Sequence, residues 1–202
     1  MTRRVCNALL LAIAAAGCGG SSTAPSTSTT TPALRADVTD PVGDTLSDAR
    51  MAVPPDLVRA TVTVASQSLT FTVTFAPGTF NPRTTRVAAL LDTDLNAATG
   101  IRQVDGVGAD YALEFDASAS RVTISRADAA ACAARLACFA DVASAAVTFV
   151  TDGMQATVPL STMAGADGHM TFQVNTYAFV APLTPVVFDV LPDNNLQPAR
   201  VQ

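Results

Sequence analysis

Hydrophobic and polar residues alternate along much of the chain after residue 57, with the period of two that is typical of β-strands. The pattern is clearest at residues 69–75, where threonine alternates with apolar residues in Leu-Thr-Phe-Thr-Val-Thr-Phe. Alternation and short apolar runs together predict about nine or ten strands, the clearest at residues 58–65, 69–75, 87–91, 111–115, 121–125, 146–150, 155–160, 170–179 and 186–190.

Short segments that favour turns separate these strands. Ser66-Gln67-Ser68 has the length of a hairpin turn, and Pro77-Gly78, Asp152-Gly153 and Asp167-Gly168 are typical turn pairs. No segment shows the spacing of a long amphipathic helix. The predicted fold class is therefore all-β, with the strands arranged as an antiparallel β-sandwich.

The N-terminus has a different pattern, in which Arg3 and Arg4 precede an apolar run too short to span a bilayer. The run ends in Ala15-Ala16-Gly17-Cys18, which resembles the lipobox of bacterial lipoproteins. In that family the cysteine carries lipid on its sulfur and, after cleavage, on its amine. The resemblance implies a signal peptide at residues 1–17 and a lipid on Cys18, and the absence of Asp after the cysteine resembles outer-membrane sorting if the host is Gram-negative. An ordinary secretory signal cleaved nearby is the alternative.

Composition separates a tether from a folded domain. Residues 18–33 are rich in Gly, Ser, Thr and Pro without charge or large apolar side chains, so we expect a disordered tether behind the lipidated cysteine. Residues 34–202 have the length of one domain with a sizeable core. The formal net charge of -5 becomes -7 once the two arginines of the signal peptide are removed. This acidic balance argues against nucleic acid as a partner.

The chain has four cysteines, of which Cys6 lies in the signal peptide and Cys18 is the lipidation residue. An even pair, Cys132 and Cys138, remains in an exported domain and predicts a disulfide. The alanine-rich residues 126–145 favour a helix by propensity, but helical positions six residues apart are too distant for a bridge. We therefore expect a compact loop that is closed by the disulfide.

The best candidate for site chemistry is the loop Asp92-Thr93-Asp94-Leu95-Asn96. Oxygen-bearing side chains at alternate positions of a loop can converge on one hard cation such as Ca²⁺. The loop lacks the glycine, the glutamate and the flanking helices of an EF-hand. We predict a calcium loop on the rim of the sandwich that is completed by Asp105 or Asp110. The alternative is a polar loop in which Asp and Asn serve the turn alone.

A second group of acidic residues surrounds a Pro-Val-Gly turn: Asp37, Asp40, Asp44 and Asp48. Adjacent carboxylates repel unless a cation or an arginine lies between them. Because Arg35 and Arg50 are close in sequence, we interpret this group as a salt-bridged turn. Asp193-Asn194-Asn195 forms a third and weaker oxygen-rich loop.

Catalytic constellations are scarce. His169 is the one histidine, and no motif for an activated nucleophile accompanies it. Glu114 and Asp116 lie on one face of one predicted strand, whereas glycosidase carboxylates face each other across a sugar. The chain has no Trp and two Tyr, which disfavours an aromatic sugar platform. We predict that the protein is not an enzyme.

Several short motifs together resemble bacterial extracellular domains of the CBM9-like/DOMON-like group: Asp40-Pro-x-Gly-Asp44, Pro55-Asp56-Leu57, Leu91-Asp92-Thr93-Asp94-x-Asn96, Gly108-Ala-Asp110-Tyr111 and Val158-Pro-Leu160. The resemblance implies a jelly-roll-like sandwich that binds sugars, haem or other small ligands, often with structural calcium. The calcium ligands that it carries over are Asp92, Asp94 and Asn96. Haem-binding members use Met and His, but His169 and Met170 fall on alternate strand faces.

The leading hypothesis is a non-catalytic, monomeric lipoprotein of the cell envelope. It would be a binding or adhesion module with a structural calcium, held at the membrane by its N-terminal lipid, and its partner would be a glycan or a protein. The alternatives are a purely structural envelope sandwich without ligand, an accessory domain of a carbohydrate-active enzyme, and a haem-binding domain.

Overall fold

The computed structural model describes residues 33–46, 48, 51–104, 107–180, 184–193 and 197–202. The described strands are β1 (Leu34–Thr39), β2 (Leu57–Ala65), β3 (Ser68–Phe75), β4 (Thr85–Asp92), β5 (Ile101–Val104), β6 (Val107–Ala109), β7 (Tyr111–Asp116), β8 (Arg121–Ala127), β9 (Phe139–Val150), β10 (Gly153–Pro159), β11 (Met170–Val180), β12 (Thr184–Leu191) and β13 (Ala199–Val201). One short α-helix, α1 (Ala129–Ala133), and two 3-10 turns, Ala117–Ala119 and Leu160–Thr162, complete the described elements.

Several predicted features fall outside these residues. The signal peptide at 1–17, the lipidation residue Cys18 and the tether up to residue 32 are not described, and Asp105 and Arg50 are not described either. No helix in the described ranges is both long and apolar enough to cross a membrane.

Eleven of the described strands form one continuous antiparallel sheet that folds back on itself. Its order is β1-β2-β3-β10-β9-β8-β7-β4-β11-β12, and β13 pairs with β11. The long strand β9 joins the two layers, because residues 139–146 pair with β8 whereas residues 147–150 pair with β10. The prediction of an all-β, antiparallel sandwich is confirmed.

The core lies between the layers and explains the alternating sequence pattern. On β3, the four apolar residues from Leu69 to Phe75 are buried, while the threonines between them are partly exposed. The ring of Phe71 lies 6.0 Å from that of Phe115 on β7 and 5.4 Å from that of Phe172 on β11. Burial of each such side chain contributes on the order of 2 kcal/mol.

The first and last described strands meet at one end of the sandwich. The backbone N–H of Arg35 donates to the carbonyl of Gln202 (3.1 Å), and the N–H of Gln202 donates back to Arg35 (3.4 Å). Val201 in turn lies opposite Met170 on β11. β13 therefore links β1 to the other layer.

Four strands were not predicted from the sequence: β1, β5, β6 and β13. They are short, and charged residues or glycine interrupt their apolar pattern. The β5–β6 hairpin forms a separate two-stranded sheet, from which Val107 and Ala109 pack on Leu90 and Ala112. The predicted hairpin turn is confirmed, since Ser66 and Gln67 have φ values of 50° and 62°, typical of a two-residue turn.

The disulfide between Cys132 and Cys138 is present, with the two Cα atoms 4.2 Å apart. Helix α1 contains Cys132 and ends before Cys138, and the chain reverses at Arg135, where φ is 60°. The helical propensity of residues 139–145 is overridden, because this stretch pairs with β8 as a strand. The excursion closed by the bridge thus contains one helical turn.

Candidate functional site

The predicted metal loop begins where β4 ends and returns to the sheet where β7 begins. Asp92 is the last residue of β4, and Asp110 directly precedes β7. Because Leu91 lies opposite Tyr111 in antiparallel pairing, the two carboxylates share one edge of the sheet. The Asp110 N–H also donates to the Leu91 carbonyl (2.8 Å). Carboxylate oxygens of Asp92, Asp94 and Asp110 lie within 4.8 Å of one another.

Backbone N–H groups of the loop converge on these carboxylates. Asp110 Oδ2 accepts hydrogen bonds from the N–H groups of Thr93 (2.9 Å) and Asp94 (3.3 Å). The N–H of Asn96 donates both to Asp92 Oδ1 (3.0 Å) and to Asp94 Oδ1 (2.9 Å). Such donors favour the charged form of a carboxylate and fix its direction. Each carboxylate has about four lone-pair positions, so capacity for a cation remains.

Two glycines seat the loop on the neighbouring hairpin. Gly100 has a φ of 63°, and a Cβ there would overlap the carbonyl of Ala109. A Cβ at Gly108 would overlap the carbonyl of Thr99. Only glycine allows this close approach of two backbones. The loop is therefore packed against β6, which positions its carboxylates.

The structure brings together three of the five predicted ligands: Asp92, Asp94 and Asp110. The side-chain oxygen of Asn96 accepts a hydrogen bond from the N–H of Ala98 (3.1 Å) and so closes a turn. Asp105 lies outside the described residues. Calcium binding by this loop stays a prediction.

The electrostatics of the loop are those of neighbouring anions. Burial raises the pKa of Asp92, which is 2% exposed, and the carboxylates of Asp94 and Asp110 raise it further. Within the described ranges, no arginine forms an ion pair with these three residues. A pocket of about 370 Å³ adjoins the loop, and its lining includes Asp94, Asp110, Tyr111 and Arg126. The arrangement can hold a cation, and the pocket beside it has room for a small polar group.

The second group of acidic residues matches the predicted salt-bridged turn at Asp37, which lies 2.6 Å from Arg59 and 3.3 Å from Arg35. Asp40 and Asp44 pair with no arginine in the part of the chain that the structure describes. Because Arg50 lies outside that part, the salt-bridged turn stays an interpretation for these two residues. The loop turns away from β1 toward β12, where the N–H of Leu46 donates to the carbonyl of Phe188 (2.7 Å).

This loop meets two acidic residues that the sequence analysis did not single out as site residues, Asp56 and Asp189. Carboxylate oxygens of Asp44, Asp56 and Asp189 lie within 4.8 Å of one another, as do those of Asp40, Asp44 and Asp193. Burial raises the pKa of Asp40 to about 7 and that of Asp189 to about 6, and the surrounding carboxylates add to both shifts. The sequence feature that could have revealed Asp189 is its place as the one aspartate inside the apolar strand Val-Val-Phe-Asp-Val-Leu.

No protein-family model matches the chain, and no curated protein matches it either. The resemblance to the CBM9-like/DOMON-like group therefore stays a prediction that rests on the short motifs.

The side chains weighed for catalysis are dispersed. Asp116 lies 3.2 Å from Arg86 and accepts a hydrogen bond from Ser118 (2.6 Å). Burial, and then Asp141, raise the pKa of Glu114 on the same strand. His169 is exposed while Met170 is buried, so the two do not share a face, as predicted. The absence of an enzymatic activity stays a prediction.

Proposed function

We propose that this protein is a non-catalytic module of the cell envelope, anchored by a lipid on Cys18 and stabilised by calcium held between the loop that follows β4 and Asp110, which precedes β7. Its role would be binding or adhesion, with a glycan or a protein as the partner. The folded part, residues 34–202, would then present its loops at the end of the tether formed by residues 18–33.

The observation that carries this proposal is the convergence of Asp92, Asp94 and Asp110. Three carboxylates within 4.8 Å repel one another unless a cation lies between them. Oxygen ligands on a short, well-packed loop are those that calcium prefers.

Thermal unfolding tests the calcium site. The purified protein is treated with chelator, calcium is titrated in, and the midpoint of unfolding is followed. At a hundredfold excess over the dissociation constant, mass action stabilises the folded state by about 2.7 kcal/mol, so we expect the midpoint to rise by about 5–10 °C. The rise should be smaller in the double variant Asp92→Asn, Asp94→Asn than in the wild type.

Asp167→Asn is the matched control, because Asp167 also closes a turn, by accepting the N–H of His169 (2.9 Å), but lies in neither acidic group. It should respond to calcium like the wild type. A midpoint that rises equally in the double variant would contradict the site. A calcium response with no ligand recovered in binding screens would favour the purely structural alternative.

A further inference from the structure

Five acidic side chains converge where the loop after β1 meets β12. They form two overlapping triads, Asp44 with Asp56 and Asp189, and Asp40 with Asp44 and Asp193, each with oxygens within 4.8 Å of one another. Asp44 belongs to both triads. Because these residues come from the loop after β1, from β12 and from the segment after β12, the cluster is a product of tertiary structure.

Buried oxygens without hydrogen-bond partners lie in this cluster and beside it. Asp56 is 4% exposed, and its Oδ1 is buried without a hydrogen-bond partner, although Oδ2 accepts the N–H of Gly43 (2.9 Å). The amide oxygen of Asn175 is also buried without a partner, and Asn175 lines a pocket of about 370 Å³ together with Asp44 and Asp189. Because Asn175 is neutral, the clustering of acidic residues does not explain why its buried amide oxygen has no partner. Uncompensated polar oxygens of this kind are unfavourable, and a cation bound among the carboxylates would satisfy that of Asp56.

No arginine in the described ranges forms an ion pair with the five carboxylates. Arg59 is engaged by Asp37, with two nitrogen–oxygen distances of 2.7 and 2.6 Å. Arg50 belongs to the same loop but lies outside the described residues. Neutralisation by Arg50 is therefore the rival explanation that an experiment must separate from a cation.

Hydrogen bonds within the protein hold the cluster in place without a ligand. Asp189 Oδ2 accepts the N–H of Leu57 (2.7 Å), and its Oδ1 accepts the N–H of Val190 (2.8 Å). The Thr45 hydroxyl donates to the carbonyl of Phe188 (2.9 Å), which joins the loop to β12. These bonds fix the direction of the Asp189 carboxylate and leave its remaining lone pairs for a ligand.

We propose that Asp44, Asp56 and Asp189 form a second cation site, with Asp40, Asp193 and the amide oxygen of Asn175 beside them, and that its ligand is Ca²⁺. All donors are oxygens, which suits a hard cation, whereas structural zinc sites are built from Cys and His. Calcium accepts six to eight oxygens in flexible geometry, and magnesium demands a stricter octahedron. The site is separate from the loop at Asp92 and does not depend on it.

Isothermal titration calorimetry of the full-length protein, stripped with chelator and titrated with CaCl₂, tests this site. We expect two binding events in the wild type. Asp44→Ala should remove one of them, and because Asp44 is exposed, this variant is expected to fold. Asp56→Asn keeps an acceptor for Gly43 and should weaken the same event at least tenfold. Asp37→Asn is the matched control, because Asp37 lies on β1 near the cluster but outside it, and this variant should keep both calcium-binding events.

The outcomes separate the two sites. Loss of an event in Asp44→Ala but not in Asp94→Asn supports the second site and contradicts the first. The reverse pattern overturns the second site and leaves the first in place. The second site is also overturned if Asp44→Ala binds calcium with the stoichiometry and affinity of the wild type. It is overturned as well if the wild type binds no calcium and Arg50→Gln lowers the thermal midpoint, because Arg50 would then neutralise the cluster.

Discussion

Asp37 and Asp40 lie three residues apart, but their electrostatic environments are opposite. A hydrogen bond from Arg59 lowers the pKa of Asp37, and the charges of Arg59 and Arg35 add to the effect. Burial raises the pKa of Asp40 to about 7, and other carboxylates add to that shift. The difference arises because β1 pairs with β2 up to Thr39, which brings Arg59 beside Asp37, and the chain leaves the sheet at Asp40.

The pair formed by Asp37 and Arg59 gives a pH-dependent prediction. A carboxylate whose folded pKa lies below its unfolded value of 3.8 stabilises the fold fully above that value, and the contribution is lost as the pH falls through the folded pKa. Asp37→Asn should therefore lower the thermal midpoint at pH 7, by no more than about 3 °C since the pair is exposed. The gap to the wild type should close below pH 3.8. Thermal scans across pH 7 to 3 check this, and a gap of constant size would contradict the assignment.

Local spacing in the sequence predicted part of the site and missed another part for a physical reason. Asp92 and Asp94 belong to one loop, so their proximity follows from the chain itself. Asp56 and Asp189 meet because the connection from β1 to the start of β2 docks on β12, through contacts such as those of Leu46 with Phe188 and of Leu57 with Asp189. No pattern within either segment encodes that docking.

At the scale of elements, prediction succeeded where the apolar pattern of a strand is clear and failed where the strand is short or charged residues or glycine interrupt the pattern. β3 alternates buried and partly exposed residues along its whole length. β5 and β13 have four and three residues, too few to show a period. The first half of β9 is alanine-rich, and its strand conformation depends on pairing with β8. Elements defined by their neighbours were therefore missed.

Removal of the disulfide should have a modest and local effect. The bridge joins Cys132 and Cys138, which are six positions apart in the sequence, and it contributes on the order of 2 kcal/mol to the free energy of unfolding. We expect the double variant Cys132→Ser, Cys138→Ser to unfold at a midpoint lower by several degrees while keeping its calcium response. Scans of the wild type with and without reductant should reproduce the difference. A variant that no longer folds would show that the bridge supports the whole sandwich.

At the scale of the whole molecule, the two acidic groups lie at opposite ends of β1. Near the start of β1, the backbone of Arg35 bonds to Gln202. The preceding residue, Val201, lies opposite Met170 on β11, and the next residue of β11, Thr171, lies opposite Asp92. Asp40 follows the other end of the strand. With six residues, β1 is about 20 Å long. Substitutions in the two groups should therefore have additive effects on stability.

The proposed anchor makes a prediction for the intact chain. Cells that express the protein are labelled with a fatty acid, and the protein is recovered from the membrane fraction. Cys18→Ser should abolish the label and release the protein from the membrane, whereas Cys6→Ser should keep both, because Cys6 would be removed with the signal peptide. A label that persists in Cys18→Ser would contradict lipidation at this residue and favour an ordinary secretory signal.

The meeting of β1 and β13 has a consequence for engineering. Since Arg35 and Gln202 are joined by backbone hydrogen bonds, the folded unit has its entrance and exit at one point on its surface. Such a unit can be spliced into a loop of a host protein through two short connections, or have its ends joined and be reopened at the turn around Asp152. In the first arrangement the acidic cluster around Asp44, at the far end of β1, would stay unobstructed.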